Sequence, residues 1–467
     1  MAVTVILPGW LLLCITAQAA EFQAGIGRVI ITPQTPMWMS GYAARTHPSD
    51  GLLQDLWAKA LAIEDGQGGR VVIVTTDLIG LPREISQKVA ARLATKHGIP
   101  RAQLVLNASH THGGPAVWPG IRVLFDLNPD ELRVVTEYAQ KLTEDLVAVV
   151  SAALADLAPV RISFGHGSAG FAVNRREPVP GGMRIGVNPE GPVDPAVPVV
   201  NIATPDGRPR AVLFGYACHN TTLGGDCTKI NGDYAGFAQS ELEKACPSTT
   251  AMFLMLGGAD QNPHPRGTVE LAAQHGKSLA DEVRRVLGGR LQPVRPPIRT
   301  AYEVVNLDLA PHDRAAFEAE AQGPDRFRQR RARLMLEAYD QGRPVRQVPC
   351  PVQVVRWNDD LALVALGGEV VVDYPLRLKR EFGSNVIVAG YSNDVMCYIP
   401  SRRVLREGGY EAVESMIYYG QPGPFAENVE EAVISACRRL LKQTGAEPVG
   451  AFRPLPRPSQ PAPTIPP

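Results

Sequence analysis

The chain has 467 residues, 45% of them hydrophobic, with 47 acidic side chains against 47 basic ones. That length supports one large or two moderate domains with an ample core. The balanced charge excludes nucleic-acid binding through a broad basic face, and outside the amino terminus no stretch reaches the roughly 20 apolar residues of a membrane span.

Residues 1–20 read as an export signal, although without the usual basic start. An apolar run from Val3 to Ile15 leads into Ala17-Gln18-Ala19, a small-x-small cleavage pattern, so a secreted or periplasmic location is expected. Removing this segment with Cys14 leaves Cys218, Cys227, Cys246, Cys350, Cys397 and Cys437. An even set in an exported protein permits disulfides, and the absence of CxxC spacing argues against a cysteine zinc site.

Strand signals then alternate with helical ones. Strands are expected at Val29–Thr32, Leu56–Ile63, Val71–Thr76, Leu104–Asn107, Val160–Phe164, Val197–Ala203, Ala211–Tyr216, Met252–Leu256, Val352–Val355, Leu361–Leu366 and Val386–Ala389. Helices are expected at Ile85–Lys96, Asp130–Leu157, Tyr234–Lys244, Val269–Leu287, Arg314–Tyr339 and Ala426–Lys442. The expected class is mixed α/β, a large, mostly buried sheet covered by helices, forming one domain over residues 21–445. Arg176–Pro195, rich in Gly, Pro and Val, reads as a long rim loop. The arginine cluster from Arg326 to Arg333 reads as a solvated helix face, with an anion or lipid-headgroup patch as the alternative. From Pro448 onward eight prolines fall among twenty residues, so residues 446–467 are expected to be a disordered tail.

Four strand ends carry chemistry. Ser109-His110-Thr111-His112-Gly113-Gly114-Pro115 follows an apolar strand, and its alternation sends both histidines to one side. A pair of hydrogen-bonded turn histidines is the plain alternative to a metal ligand beside a second polar group. His219 ends the run from Phe214, Glu369 follows Gly367-Gly368, and Ala389 leads through Tyr391 towards Tyr398. Each could be structural, and Glu369 could simply begin a helix. Two histidines and a carboxylate together, however, make a familiar catalytic zinc set with one open position.

These motifs, with Cys218-His219-Asn220, Gly232–Gly236, Asp260–Pro263, Tyr398–Gly420 and the opening Ile26–Pro33 with Met39-Ser40-Gly41-Tyr42, resemble the neutral/alkaline non-lysosomal ceramidase family over residues 22–443. The resemblance implies one zinc ion held by His110, His219, Glu369 and Tyr398, with Tyr398 preferred to Tyr391 by its register, twelve residues before Tyr410. It implies catalytic contacts from His112, Arg175 and Tyr410, with Arg176 as the alternative to Arg175. A zinc-activated water would then cleave an N-acyl amide bond, with an N-acylsphingosine as the default substrate. The alternatives are a zinc esterase or lactonase, a deacylase of another N-acylated amine or sugar, and a non-catalytic zinc-stabilised binding protein. The expected partner is a small-molecule or lipid amide, with peripheral contact to a membrane surface. Two departures stand out. Asp260 occupies the place of the family's serine, where it could orient a polar substrate group or a zinc-bound water, or simply cap the turn. The family's immunoglobulin-like carboxy-terminal domain is expected to be absent after Gly445.

Overall fold

The computed structural model describes residues 22–448. The expected export segment and nearly all of the proline-rich tail lie outside the described residues.

Two sheets face each other. The larger runs in the order Thr250–Met255, Pro209–Tyr216, Ala196–Ala203, Ala158–Ser168, Phe22–Ile30, Trp57–Asp65, Arg70–Thr76, Leu104–Ala108. Its two outermost pairs are parallel and the pairs between them antiparallel. The smaller runs Ile298–Asp308, Gln347–Trp357, Leu361–Leu366, Val386–Ala389, with only its last pair parallel. Leu61, Ile73, Val200 and Leu254 of the larger sheet pack directly on Trp357, Leu361, Leu363 and Ile387 of the smaller.

Helices close the outside. Arg83–His97 and Pro129–Ala155 cover one part of the larger sheet, and Asp233–Ala245 with Val269–Leu287 cover the other. Asp373–Phe382 and Val429–Gln443 cover the smaller sheet. The class is therefore mixed α/β as expected, but arranged in four layers, because strands buried on both faces need helices outside and a second sheet inside.

Three local readings change. Arg176–Pro195 is not a long loop: Ala172–Val179 and Gly182–Asn188 form a hairpin whose turn uses positive φ at Gly181 and Gly182. The expected helix over Arg314–Tyr339 is two helices, Arg314–Ala321 and Arg326–Asp340, interrupted around Gly323-Pro324, where proline and glycine break the ladder. All six cysteines are unpaired among the described residues, and Cys218, Cys350, Cys397 and Cys437 are buried.

The larger sheet curls until its two edge strands meet. Asn107, fully buried, donates through Nδ2 to Met255 O (3.3 Å) and Gly390 O (2.8 Å), while its Oδ1 accepts Met255 N–H (2.9 Å). Thr111 then pairs with Asn220 in a parallel bridge, which sets the two histidine-bearing strand ends side by side. Asn107→Ala strands the Met255 N–H in the interior and leaves Gly390 O with only the Ser392 hydroxyl as donor. We expect a loss of about 1 to 3 kcal/mol in urea unfolding. Unchanged stability would show that another contact closes the sheet.

Candidate active site

Every candidate donor sits just beyond the carboxyl end of a strand. His110 follows Leu104–Ala108, His219 follows Pro209–Tyr216, Glu369 follows Leu361–Leu366, and Tyr398 comes after Val386–Ala389. Ligands bind at such ends in open α/β sheets because the loops there are free to diverge over a rigid support. Glu369 and Tyr398 are register partners in a short parallel bridge. Gly368 makes this approach feasible: it has φ +74°, and a Cβ there would sit 2.7 Å from Cys397 O.

The donors converge. His110 Nε2 lies 3.1 Å and His219 Nε2 3.2 Å from Glu369 Oε2, and Tyr398 OH lies 3.2 Å from His219 Nε2. His112 Nε2 lies 3.2 Å from His110 Nε2, so the second histidine joins the cluster rather than standing apart from it. The three imidazoles form a group able to hold a metal ion.

Proton placement explains what belongs between them. His110 Nδ1 donates to Ile79 O (2.6 Å) and His219 Nδ1 to Gly258 O (3.3 Å), since a carbonyl can only accept. Burial, then the charge of Arg175, lowers the His219 pKa to about 3, so this ring is neutral and its Nε2 faces Glu369 with a bare lone pair. A lone pair facing a carboxylate is repulsive unless a cation lies between them. Donors bound at about 2.0 Å around one tetrahedral ion are themselves about 3.3 Å apart, close to the spacings seen. The site fits a metal.

An outer layer fixes the donors. Tyr391 OH donates to Glu369 Oε2 (3.2 Å) and Tyr419 OH to Glu369 Oε1. Tyr391 therefore stands behind the carboxylate while Tyr398 faces His219. Among the described residues, six non-glycine positions have positive φ, and His110, Asp233, Tyr391 and Asn393 of these surround the site. Such backbone costs about 1 to 3 kcal/mol each and persists where packing enforces it.

Arg175 and Arg176 separate cleanly. The register of the hairpin shifts between Asn174 and Arg176, which leaves Arg175 in a bulge and lets both consecutive arginines be buried. Arg175 donates to Tyr398 OH (2.9 Å), Glu411 (2.7 Å) and Asn262 (3.4 Å) and lines the cavity. Arg176 instead binds Glu411, Glu407 and Gly408 O away from it. Tyr410 lines the same cavity, its ring 5.4 Å from that of Tyr398.

Asp260 is fully buried and does not line the cavity. Its Oδ1 accepts Val372 N–H (2.8 Å), its Oδ2 accepts Asn174 Nδ2 (3.1 Å), and its main-chain O accepts Arg175 N–H (2.8 Å). Burial pushes its carboxyl up to about 6. Among the described residues its side chain caps no bond within its own turn; it ties the Glu369 segment to the Arg175 strand instead.

The cavity is about 270 Å³, with His110, His112, Glu369, Arg175 and Tyr398 on its wall and Ile79, Ile121, Leu124 and Ile185 as apolar lining. Tyr419 and Asn262 were not singled out from sequence, and Tyr391 was weighed only as the alternative to Tyr398 as a ligand. Tyrosines clustered beside Glu369 and Tyr398 were the available signal.

Fold and site together define a mixed α/β protein with a candidate metal centre in the wall of a partly apolar pocket. Residues 22–278 match the family model described as "Neutral/alkaline non-lysosomal ceramidase, N-terminal", more than half of the chain. The chain belongs to this family. His110, His112, Arg175 and His219 fall inside the matched span; Glu369, Tyr398 and Tyr410 lie beyond it. It is 26% identical over 273 residues to the neutral ceramidase of Mycobacterium tuberculosis, covering 56% of this chain and 40% of that protein. Against the neutral ceramidase of Pseudomonas aeruginosa it is 27% identical over 236 residues, 49% of this chain and 34% of that one. The matches thus span less than half the length of these relatives. The crystal structure of neutral ceramidase from Pseudomonas aeruginosa aligns with a TM-score of 0.70 at 18% identity, over 94% of this chain and 77% of that one, a likeness of fold.

Asp260→Ala removes two buried acceptors at once. We expect a stability loss of about 2 to 4 kcal/mol in urea unfolding, with no gain from replacing the alanine by a larger apolar residue. A variant as stable as the parent would remove Asp260 from this structural role.

Proposed function

We propose that the protein is a zinc-dependent hydrolase of N-acyl amide bonds, with an N-acylated sphingoid base as the default substrate. The observation that carries the reading is the meeting of His110, His219, Glu369 and Tyr398 donor atoms beside Arg175 and Tyr410 in one pocket. The naming of the relatives as neutral ceramidases supports the amide and the lipid.

His110, His219, Glu369 and Tyr398 would hold the ion. Zinc there supplies Lewis acidity and acidifies water from a pKa of about 15.7 towards about 7. The remaining chemistry belongs to the chain. His112 differs from its two neighbours because its buried Nδ1 has no hydrogen-bond partner. No carbonyl locks its tautomer, so this ring is free to exchange a proton at Nε2. Burial, then repulsion from His110 and His219, lowers its pKa well below the usual value, which keeps it neutral and ready to accept. It can pass that proton to the departing amine nitrogen.

Arg175 and Tyr410 are placed to stabilise the oxyanion that grows on the attacked carbonyl. Glu411 holds the Arg175 guanidinium (2.7 Å), so the donor is preorganised rather than recruited during the reaction. The isoleucines and leucine on the pocket wall take the acyl chain out of water, worth about 25 cal/mol per Å² buried.

Three outcomes follow for the purified protein. A zinc chelator abolishes amide hydrolysis, and added zinc restores it; hydrolysis that survives chelation ends the metal mechanism. Metal analysis separates the two histidines: His110→Ala loses stoichiometric zinc, whereas His112→Gln keeps it and lowers kcat about 10²- to 10⁴-fold. Tyr410→Phe lowers kcat about 10²- to 10³-fold with KM nearly unchanged, as expected for a contact made in the transition state.

A further inference from the structure

Two arginines line the pocket, and only one is neutralised. Arg175 is matched by Glu411. Arg266 pairs with no carboxylate among the described residues, and its hydrogen-bond partner there is the neutral phenol of Tyr42 (3.3 Å). The Tyr42 hydroxyl is itself spoken for, donating to Leu223 O (2.7 Å), and burial keeps it protonated with a pKa pushed up to about 12.

This corner adjoins the chemistry. The Tyr42 ring meets the His112 ring edge-on at 4.8 Å, so one side chain separates Arg266 from the proposed proton carrier. Gly41, with φ +97°, makes the contact feasible: a Cβ there would lie 2.4 Å from the His112 ring. On the other side of Tyr42, the Arg45 guanidinium sits 5.0 Å from the ring centre and donates to the carbonyls of Ser40 and Cys227, with Asp226 close enough to act on its charge. The acid of this wall, Asp233, is buried and takes N–H groups from Thr222, Leu223 and Tyr234.

The segment presenting Arg266 is held at several points. His264 N–H donates to Phe171 O (2.8 Å), His275 Nε2 to Pro265 O (2.7 Å) and Gly267 N–H to Thr222 O (2.7 Å), while Thr268 caps the Val269–Leu287 helix. These bonds hold the backbone of Arg266 at the pocket rim. Its exposed guanidinium is tethered by the single bond to Tyr42 and keeps its other donors available to solvent or a ligand.

We infer that Arg266, oriented by Tyr42, forms a subsite for an acidic group, so that the preferred ligand is an N-acyl compound bearing a carboxylate. A neutral amide or hydroxyl offers Arg266 only a single uncharged acceptor, whereas a carboxylate receives two parallel charge-assisted hydrogen bonds from one guanidinium. The inference takes its amide from the function proposed above, but the subsite is tested by binding alone.

The zinc-loaded full chain is titrated calorimetrically with N-dodecanoylglycine and with its carboxamide, N-dodecanoylglycinamide, and hydrolysis of both is followed in parallel. The acid is expected to bind at least about tenfold more tightly, with the margin shrinking as salt is added. In Arg266→Gln the two affinities come within about twofold of each other, and Tyr42→Phe, which releases the guanidinium, gives an intermediate margin. Equal binding by the parent protein overturns the subsite. So does an acid preference that survives in Arg266→Gln, since the metal rather than Arg266 then reads the carboxylate. Acid preference without cleavage of either compound supports the subsite and counts against the hydrolase reading. Equal affinity with cleavage of both does the reverse.

Discussion

The closure of the larger sheet by Asn107 is the contact on which the site depends. Strands Leu104–Ala108 and Thr250–Met255 are opposite edges of that sheet, and a flat sheet would keep them far apart. One buried carboxamide spans the gap with both its donor and its acceptor, and in a low-dielectric interior such bonds are strong while unmade partners are costly. His110 leaves the first edge strand. His219 leaves the strand beside the second. Their meeting is a property of the curl, and the loops have only to complete it.

The carboxylate at the centre sets the electrostatics. Glu369 is buried to 1% exposure, where an isolated charge would be driven to protonate. Two imidazoles and two phenols surround it instead. Phenols can donate, but the neutral His219 ring, fixed by a carbonyl at Nδ1, cannot, so the arrangement is satisfied on one side and repulsive on the other. That asymmetry favours a cation on the imidazole side. It also distinguishes His112, whose ring shares the cluster without sharing the anchoring.

Much of the fold was legible because its strands are apolar on both faces and its long helices carry a clear stripe, as in Arg70–Thr76 and Pro129–Ala155. What escaped was one-sided or interrupted. Ile298–Asp308 mixes exposed polar and buried apolar positions and gave no apolar run, and the exposed hairpin from Ala172 to Asn188 looked like a Gly/Pro loop. The division into two facing sheets has no local signature, since inward and outward residues are alike apolar. At the site, His110, His219 and Glu369 were visible because polar residues ended apolar strands. Tyr419 was not, and Tyr391 only as the alternative to Tyr398, because a phenol that hydrogen-bonds a carboxylate looks in sequence like any buried tyrosine.

Asp260 and Arg266 lie six residues apart, on either side of the short strand Gln261–Pro263, and have opposite relations to the pocket. The carboxylate points inward, is consumed by Val372 and Asn174, and leaves the cavity wall unchanged. The guanidinium points to the cavity and is almost unconsumed. The departure at the family's serine position therefore bears on how firmly Arg175 and the Glu369 segment are held, and not on what the pocket accepts. Selectivity has to be sought where uncommitted donors meet the cavity, which in this chain is the wall formed by Tyr42 and Arg266.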